Sequence, residues 1–156
     1  MGLQEGQGAV RDIQAVSLRN DGLEENLAQE TEVLELLCRQ WTCVAKKLPD
    51  RYELDYLLMR GEKAKAWLEI KVRTNNHRNY STYMISLGKV LAARKMTEGT
   101  SLPSFLAVQW QDRMGYIRLD RLEETEIVMG GRTDRGDAQD VEPVVLFPVQ
   151  DFSWIK

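Results

Sequence analysis

Three charged side chains stand at a spacing that suits chemistry: Asp55, Glu69 and Lys71. Glu69 and Lys71 lie two apart in Ala66–Arg73, a run with strand character. Side chains on a strand alternate faces with period two, so the pair projects from one side. Trp67 and Arg73 share that side, and Leu68, Ile70 and Val72 make an apolar row on the other. Asp55 falls in a preceding strand-like run, Tyr52–Met59, on the same side as Glu53 and Leu57 and opposite Leu54, Tyr56 and Leu58. Between the runs, Arg60-Gly61-Glu62-Lys63 reads as a hairpin turn. Centring the hairpin on Glu62 sets Asp55 opposite Glu69, so two carboxylates and an ammonium converge. A slip of one residue in register separates them.

Such a cluster has a physical use. Two adjacent carboxylates repel, and a divalent cation relieves the repulsion. Hard oxygen ligands suit Mg²⁺ or Mn²⁺ better than zinc. A bound ion orients and acidifies a water and neutralises charge on a phosphate. Lys71 adds a cation that positions the water or stabilises the pentacovalent phosphorus. The backbone carbonyl of Ile70, between the two charged residues, is a further metal ligand candidate.

The elements that must position these groups follow from hydrophobic period. A helix is expected from about Leu23 to Trp41, capped by Asn20 or Asp21, with Leu23, Leu27, Leu34, Leu37, Cys38 and Trp41 as its apolar stripe. Glu30 falls about 40° from the centre of that stripe at Leu34, at 100° per residue. A carboxylate facing the core needs a partner, and a shared metal or Lys71 would serve; the plainer reading puts Glu30 at the stripe's edge, in water. Strands are expected at Thr42–Lys46, Tyr52–Met59 and Ala66–Arg73, then a second helix at about Ser81–Met96. Two strands, Phe105–Gln111 and Tyr116–Leu119, follow, and Val144–Phe147 supplies a last one. Gly130–Gly131 and Thr133–Asp140 read as loop. The order makes an α/β domain with a mixed sheet packed by helices.

The length, 156 residues, fits one compact domain over 22–156, preceded by a mobile tail over 1–21. No apolar run approaches the roughly 20 residues of a membrane span, and the first residues carry no secretory apolar segment. Cys38 and Cys43 are too few for a disulfide framework or zinc cluster, which points to a reducing, cytoplasmic setting. The net charge of −3 argues against non-specific coating of nucleic acid. Its distribution tells more: Lys71 to Lys95 holds Lys71, Arg73, Arg78, Lys89, Arg94 and Lys95 without one acid. A face of this kind can hold a polyanion, and a solvated helix face is the alternative. Arg73, His77 and Arg78 border the loop after the Glu69 strand and are candidate phosphate contacts. Tyr83, Ser86 and Lys89, at three-residue spacing on the second helix, are candidates for facing the site or a bound polyanion. For Tyr83 core packing is the alternative, and for the lone His77 a solvated side chain.

A helix with inward Glu30, then Tyr52-Glu53-Leu54-Asp55-Tyr56, then Leu68-Glu69-Ile70-Lys71-Val72, resembles the PD-(D/E)XK nuclease superfamily. The likeness covers about residues 23–110 and is closest in size to small stand-alone nucleases of phage or mobile-element type. It implies a restriction-endonuclease-like αβββαβ core, a mixed central sheet flanked by helices, and Mg²⁺-dependent hydrolysis of DNA phosphodiesters. It implies Asp55, Glu69 and Lys71 as the catalytic set, with Asp55, Glu69, Ile70 and Glu30 toward the metal. The helix over Tyr80–Met96 stands where family members add residues that touch DNA or the metal site. Leucine, not proline, precedes Asp55; a literal Pro49–Asp50 falls at a turn, so the mid-strand Asp55 is preferred. Cleavage of both strands by one site implies a homo-oligomer. Two other readings remain: a catalytically inactive nucleic-acid-binding or assembly protein of the same fold, and a chance Glu-X-Lys ion pair on an unrelated domain.

Overall fold

The structure is a computed structural model that describes residues 24–122, 125–131 and 141–156. The expected tail, the capping residues Asn20 and Asp21, and the loop Thr133–Asp140 lie outside the described residues.

Helix α1, Glu24–Trp41, buries Val33, Leu34 and Leu37, while Glu32 and Glu35 face water as the stripe requires. Its end is built by three contacts. Thr42 takes a left-handed φ of 51°, and the Cys43 N–H donates to the Cys38 carbonyl at 3.0 Å. The Arg60 guanidinium donates to the carbonyls of Trp41 at 2.7 Å and Thr42 at 3.1 Å, satisfying groups the helix leaves open.

Three antiparallel strands follow: β1 Val44–Lys47, β2 Tyr56–Arg60 and β3 Lys63–Val72. The chain then runs through β4 Thr82–Ser86 and helix α2 Leu87–Thr100 to β5 Ser104–Gln109, which pairs parallel with β3. A parallel pair requires such a crossover. Strands β6 Met114–Arg118, β7 Glu126–Gly131 and β8 Val141–Pro148, a 3-10 turn Val149–Asp151 and a short β9 Ser153–Trp154 complete the described chain. The main sheet has the order β1-β2-β3-β5-β6-β9, and β4-β8-β7 form a second, antiparallel sheet.

Both faces of the main sheet are covered. On one, α1 packs Val33, Leu34 and Leu37 against Ala45, Tyr56, Leu58, Leu68 and Ile70. On the other, Val90 and Ala93 of α2 join Tyr83, Ile85, Val145 and Phe147 of the second sheet over Leu106, Val108 and Trp110. No helix among the described residues is long and apolar enough to cross a membrane.

The expected mixed sheet flanked by helices is present, with one insertion. Residues 82–86, expected to open the second helix, form strand β4, and the helix runs from Leu87 to Thr100 instead of Ser81 to Met96. The run Thr82-Tyr83-Met84-Ile85-Ser86 is rich in β-branched and aromatic residues, with Tyr83 and Ile85 buried and Met84 exposed between them. Its partner, β8, lies some 60 residues downstream, so local periodicity gave no hint of the pairing. Strand β2 begins at Tyr56, not Tyr52, and Leu54, expected on the Tyr56 side, is buried in the cluster of α2. Alternation does not govern residues ahead of the strand. Gly130 lies within β7, where an added Cβ would meet the Val144 side chain at 2.7 Å; it is a packing glycine, not a loop glycine.

Candidate active site

The hairpin that brings the charged residues together carries a correction built into its ladder. Its turn residue Gly61 has φ +61°, a left-handed conformation that glycine adopts without steric cost. Next to the turn, Arg60 pairs with Lys63 and Met59 with Ala64. That register, continued, would set Asp55 against Leu68. The register shifts between Met59 and Leu58, so Leu58 pairs with Ala66, Leu57 with Trp67 and Tyr56 with Leu68. The shift at Lys65 is a β-bulge, and it aligns the next residues, Asp55 and Glu69. The simple hairpin centred on Glu62 describes this half of the ladder and not the turn.

Asp55 sits where the ladder ends. Its N–H donates to the Leu68 carbonyl at 3.1 Å, and its Oδ2 accepts the Ile70 N–H at 3.3 Å. On an extended strand one residue's N–H and C=O leave toward the same neighbour, so the Ile70 carbonyl faces the Asp55 side of β3. Lys47 of β1 places its Nζ 3.7 Å from Asp55 Oδ1.

Glu69 is the most unusual group in the fold, a carboxylate on the central strand only 1% exposed. Lys71 Nζ lies 3.3 Å and Lys89 Nζ 3.4 Å from the same oxygen, Oε1. The other, Oε2, is buried without a partner. Burial, reinforced by the charge of Asp55, pushes the Glu69 carboxyl up to about 7, against the pull of both lysines. Lys89, in the first turn of α2, also donates to the Glu53 carbonyl, tying the helix to the loop before β2.

Glu30 is held from α1 by the Tyr56 hydroxyl, which donates to Oε1 at 2.9 Å. The residue is half-buried, its hydrogen-bond partner is Tyr56, and Lys71 acts on it as a nearby charge. Burial raises its carboxyl above the usual range, the Tyr56 hydrogen bond opposes the rise, and the charge of Asp55 adds to it. Asp55 and Lys89 line a depression of about 320 Å³ with Lys47 and the loop Pro49–Leu54. A larger groove, about 640 Å³, runs between α1 and the ends of β3 and β5; neither Asp55 nor Glu69 lines it, so size does not mark the chemistry here.

The donor set suits a hard divalent ion in part. Among the described residues no three His, Cys, Asp or Glu side chains are spaced to hold a metal by themselves. Glu69 Oε2, buried and unpartnered beside the charge of Asp55, is the vacancy in hydrogen bonding that an oxygen-ligated cation fills. Mg²⁺ keeps several waters and takes only one or two carboxylates, so two side chains with a backbone carbonyl are a sufficient protein contribution.

The remaining residues singled out from sequence separate. Tyr83 is 6% exposed on β4, its ring edge-on to Trp110 and beneath the Arg73 guanidinium 5.4 Å away, so it belongs to the core and not to a nucleic-acid face. Ser86 ends β4, also off the helix, with its hydroxyl 3.4 Å from Glu142. Lys89 is drawn into the acidic cluster by Glu69. His77 is clasped: its backbone N–H donates to Asp112 Oδ1 at 3.0 Å, its Nδ1 lies 2.5 Å from Oδ2, and its ring stands edge-on to Trp154. The His77 N–H in turn holds the Asp112 carboxyl below its ordinary range. Arg73 and Arg78 are exposed along the loop that leaves β3.

Sequence reasoning missed Lys47, Tyr56 and Asp112, and the pairing of Lys89 with Glu69. Tyr56 carried a signal: a tyrosine on an apolar strand face needs a partner for its hydroxyl, and a helix glutamate turned inward is one. Lys47 and Asp112 reach their partners only through sheet order and loop packing.

No curated protein matches this chain. A solved structure of similar course is Archaeoglobus fulgidus Hjc, a Holliday junction resolvase from an archaeal hyperthermophile. It is 14% identical, with 76% of this chain and 81% of that chain covered and a TM-score of 0.49. The profile of the family described as "Phage putative PDDEXK endonuclease" matches residues 23–155, nearly the whole chain. The sequence order that resembled the PD-(D/E)XK nucleases thus has its counterpart in a direct match, and the chain belongs to this phage PDDEXK endonuclease family.

Proposed function

We propose that this protein is a deoxyribonuclease that hydrolyses DNA phosphodiester bonds with a divalent cation, Mg²⁺ or Mn²⁺, at Asp55 and Glu69. The observation that carries the reading is Glu69: a carboxylate buried on the central strand, with both lysines on one oxygen and the other unpartnered. A structural ion pair would satisfy both oxygens or sit at the surface. A site that holds a cation keeps a carboxylate oxygen free to ligate it.

Asp55, Glu69 and the Ile70 carbonyl would hold the ion, with Glu30 closing the acidic side from α1. When bound, the ion supplies Lewis acidity toward the phosphate and toward an attacking water. Lys71, half-exposed beside Glu69, places its ammonium where negative charge grows on the phosphate oxygens and holds the water by a hydrogen bond. Lys89 shares the Glu69 charge and braces the loop above the depression, which keeps Glu69 oriented when Lys71 turns to substrate. Tyr56 orients Glu30 and donates its only proton there. Arg73 and Arg78 would meet flanking phosphates. One such site cuts one strand at a time, so severing a duplex requires two encounters or a second copy.

The test is cleavage of end-labelled linear duplex, nicked, flap, four-way-junction and single-stranded DNAs in Mg²⁺ or Mn²⁺, with EDTA as control. Cleavage by the wild type, abolished by EDTA and lowered at least about 100-fold by Lys71→Ala, is expected. Absence of cleavage on every substrate, with no heat of Mg²⁺ or Mn²⁺ binding by calorimetry, rejects the reading.

A further inference from the structure

Two aromatic rings stand exposed among the described residues, one on the loop that ends at Asp55 and one on the loop that follows β3. Because β2 runs antiparallel to β3, the start of β2 and the end of β3 lie at one end of the sheet, and a loop leaves each. The loop before β2 bears Tyr52, 54% exposed, next to exposed Arg51. The loop after β3 bears Tyr80, 70% exposed, two residues from exposed Arg78. Every other aromatic side chain among the described residues is buried or half-buried.

Neither loop is loose. The first is closed at its base by the Leu48 N–H on the Asp55 carbonyl at 2.9 Å, and within by the Tyr52 N–H on the Pro49 carbonyl at 3.0 Å. Leu54 anchors it in the core, and Lys89 grips Glu53. Its base residue is Asp55 itself, and Tyr52 lines the depression that holds Asp55. The second loop is fastened by the Gln111 N–H on the Asn75 carbonyl at 3.0 Å and by the His77–Asp112 clasp. Rigid tethering of an exposed ring lowers the entropy cost of using it.

We infer that Tyr52, at the rim of the depression that holds Asp55, stacks on an unpaired base beside the scissile phosphate, with Tyr80 a second stacking ring farther along the strand, so that the site takes DNA with splayed or single-stranded nucleotides in preference to continuous duplex. This rests on the nuclease reading above. In a duplex the faces of the bases are covered by their neighbours, and an aromatic rim finds only sugar and phosphate. Unpaired bases offer a free π-face to an aromatic ring, with arginine alongside for the phosphates, independent of sequence.

The experiment compares a continuous duplex with a fork of the same sequence carrying 2-aminopurine in one unpaired arm. Cleavage is read in Mg²⁺, and binding by 2-aminopurine fluorescence in Ca²⁺, for wild type, Tyr52→Ala, Tyr80→Ala and the corresponding Phe variants. Thermal melts establish that these exposed substitutions leave the fold intact. The expected result is faster cutting of the fork than of the duplex by the wild type. Each Ala substitution should lower fork cleavage and binding about 10-fold, with loss of the fluorescence quench, and each Phe variant should retain both. Wild-type cleavage whose fork-to-duplex ratio is near one, or is unmoved by either Ala variant, overturns the inference and leaves the nuclease reading intact. A quench that depends on the two rings, with no cleavage of any DNA, upholds the stacking and rejects the nuclease. Neither quench nor cleavage rejects both.

Discussion

Glu69 makes the metal-free protein sensitive to pH in a direction that can be worked out. Its carboxyl is raised from 4.5 to about 7. Between those values the unfolded chain has lost the proton and the folded chain keeps it, so stability falls as pH rises through that window and the loss is complete above it. Glu69→Gln removes the effect. Without divalent ions, the variant should gain about 2 kcal/mol on the wild type between pH 5 and pH 8, read by urea denaturation at each pH. Added Mg²⁺ at pH 8 should then stabilise the wild type and not the variant; equal stabilisation would place the ion elsewhere. Tyr56→Phe tests the neighbouring group. It leaves the partly buried Glu30 carboxylate without its donor and should cost about 1–2 kcal/mol in the same measurement. At this scale the sequence was most readable for Glu69 and Lys71, because alternation along a strand is local, while Asp55, one residue ahead of β2, is set opposite Glu69 by the hairpin register. Lys47 was not read as a neighbour of the site because it arrives from β1; Lys89 was a candidate for facing the site, but its pairing with Glu69 is set by the crossover of α2.

Between the elements, the hairpin register depends on two irregular residues. The turn at Gly61 and the bulge at Lys65 together set which residues of β2 and β3 face each other. Gly61→Ala forces a side chain into left-handed backbone and should cost about 1 kcal/mol by thermal melt, while cleavage below the melt is unchanged. Deleting Lys65 should likewise leave cleavage in place, because the turn's register, relieved of the extra residue, then runs unbroken to Leu58–Ala66, Tyr56–Leu68 and Asp55 opposite Glu69. Loss of activity in a deletion that still folds would show that the kink of the bulge, and not register alone, sets the two carboxylates. The hairpin was legible from its apolar runs and its Arg-Gly-Glu-Lys turn; the bulge was not, since nothing in residue type announces it. In the sequence, strand β4 reads as helix because Tyr83 and Leu87 also fit a helical spacing, and only the distant β8 decides between the periods.

Over the whole molecule, charge is divided, not absent. The net value of −3 coexists with an acid-free stretch from Lys71 to Lys95, and Arg51, Arg73 and Arg78 stand exposed on the loops at the site's end of the sheet. Binding through phosphate contacts should therefore weaken with salt although the protein is an anion overall. Arg78→Ala should reduce the slope of log affinity against log KCl by about one, measured by fluorescence anisotropy of labelled DNA from 50 to 200 mM salt. An unchanged slope would remove Arg78 from the contact surface.

The parallel pairing of β3 with β5 also bears on when the site comes into being. The β2–β3 hairpin closes over a short stretch of chain, so the two carboxylates meet early. Lys89 reaches Glu69 only when α2 has crossed over and residues 104–109 have docked beside β3, a long loop closure that must come before its contacts can reward it. In refolding from urea, strand and helix signals should thus recover before cleavage does. On that order the two acids first meet as a hydrated pair, and the site is complete only once residues 104–109 have docked.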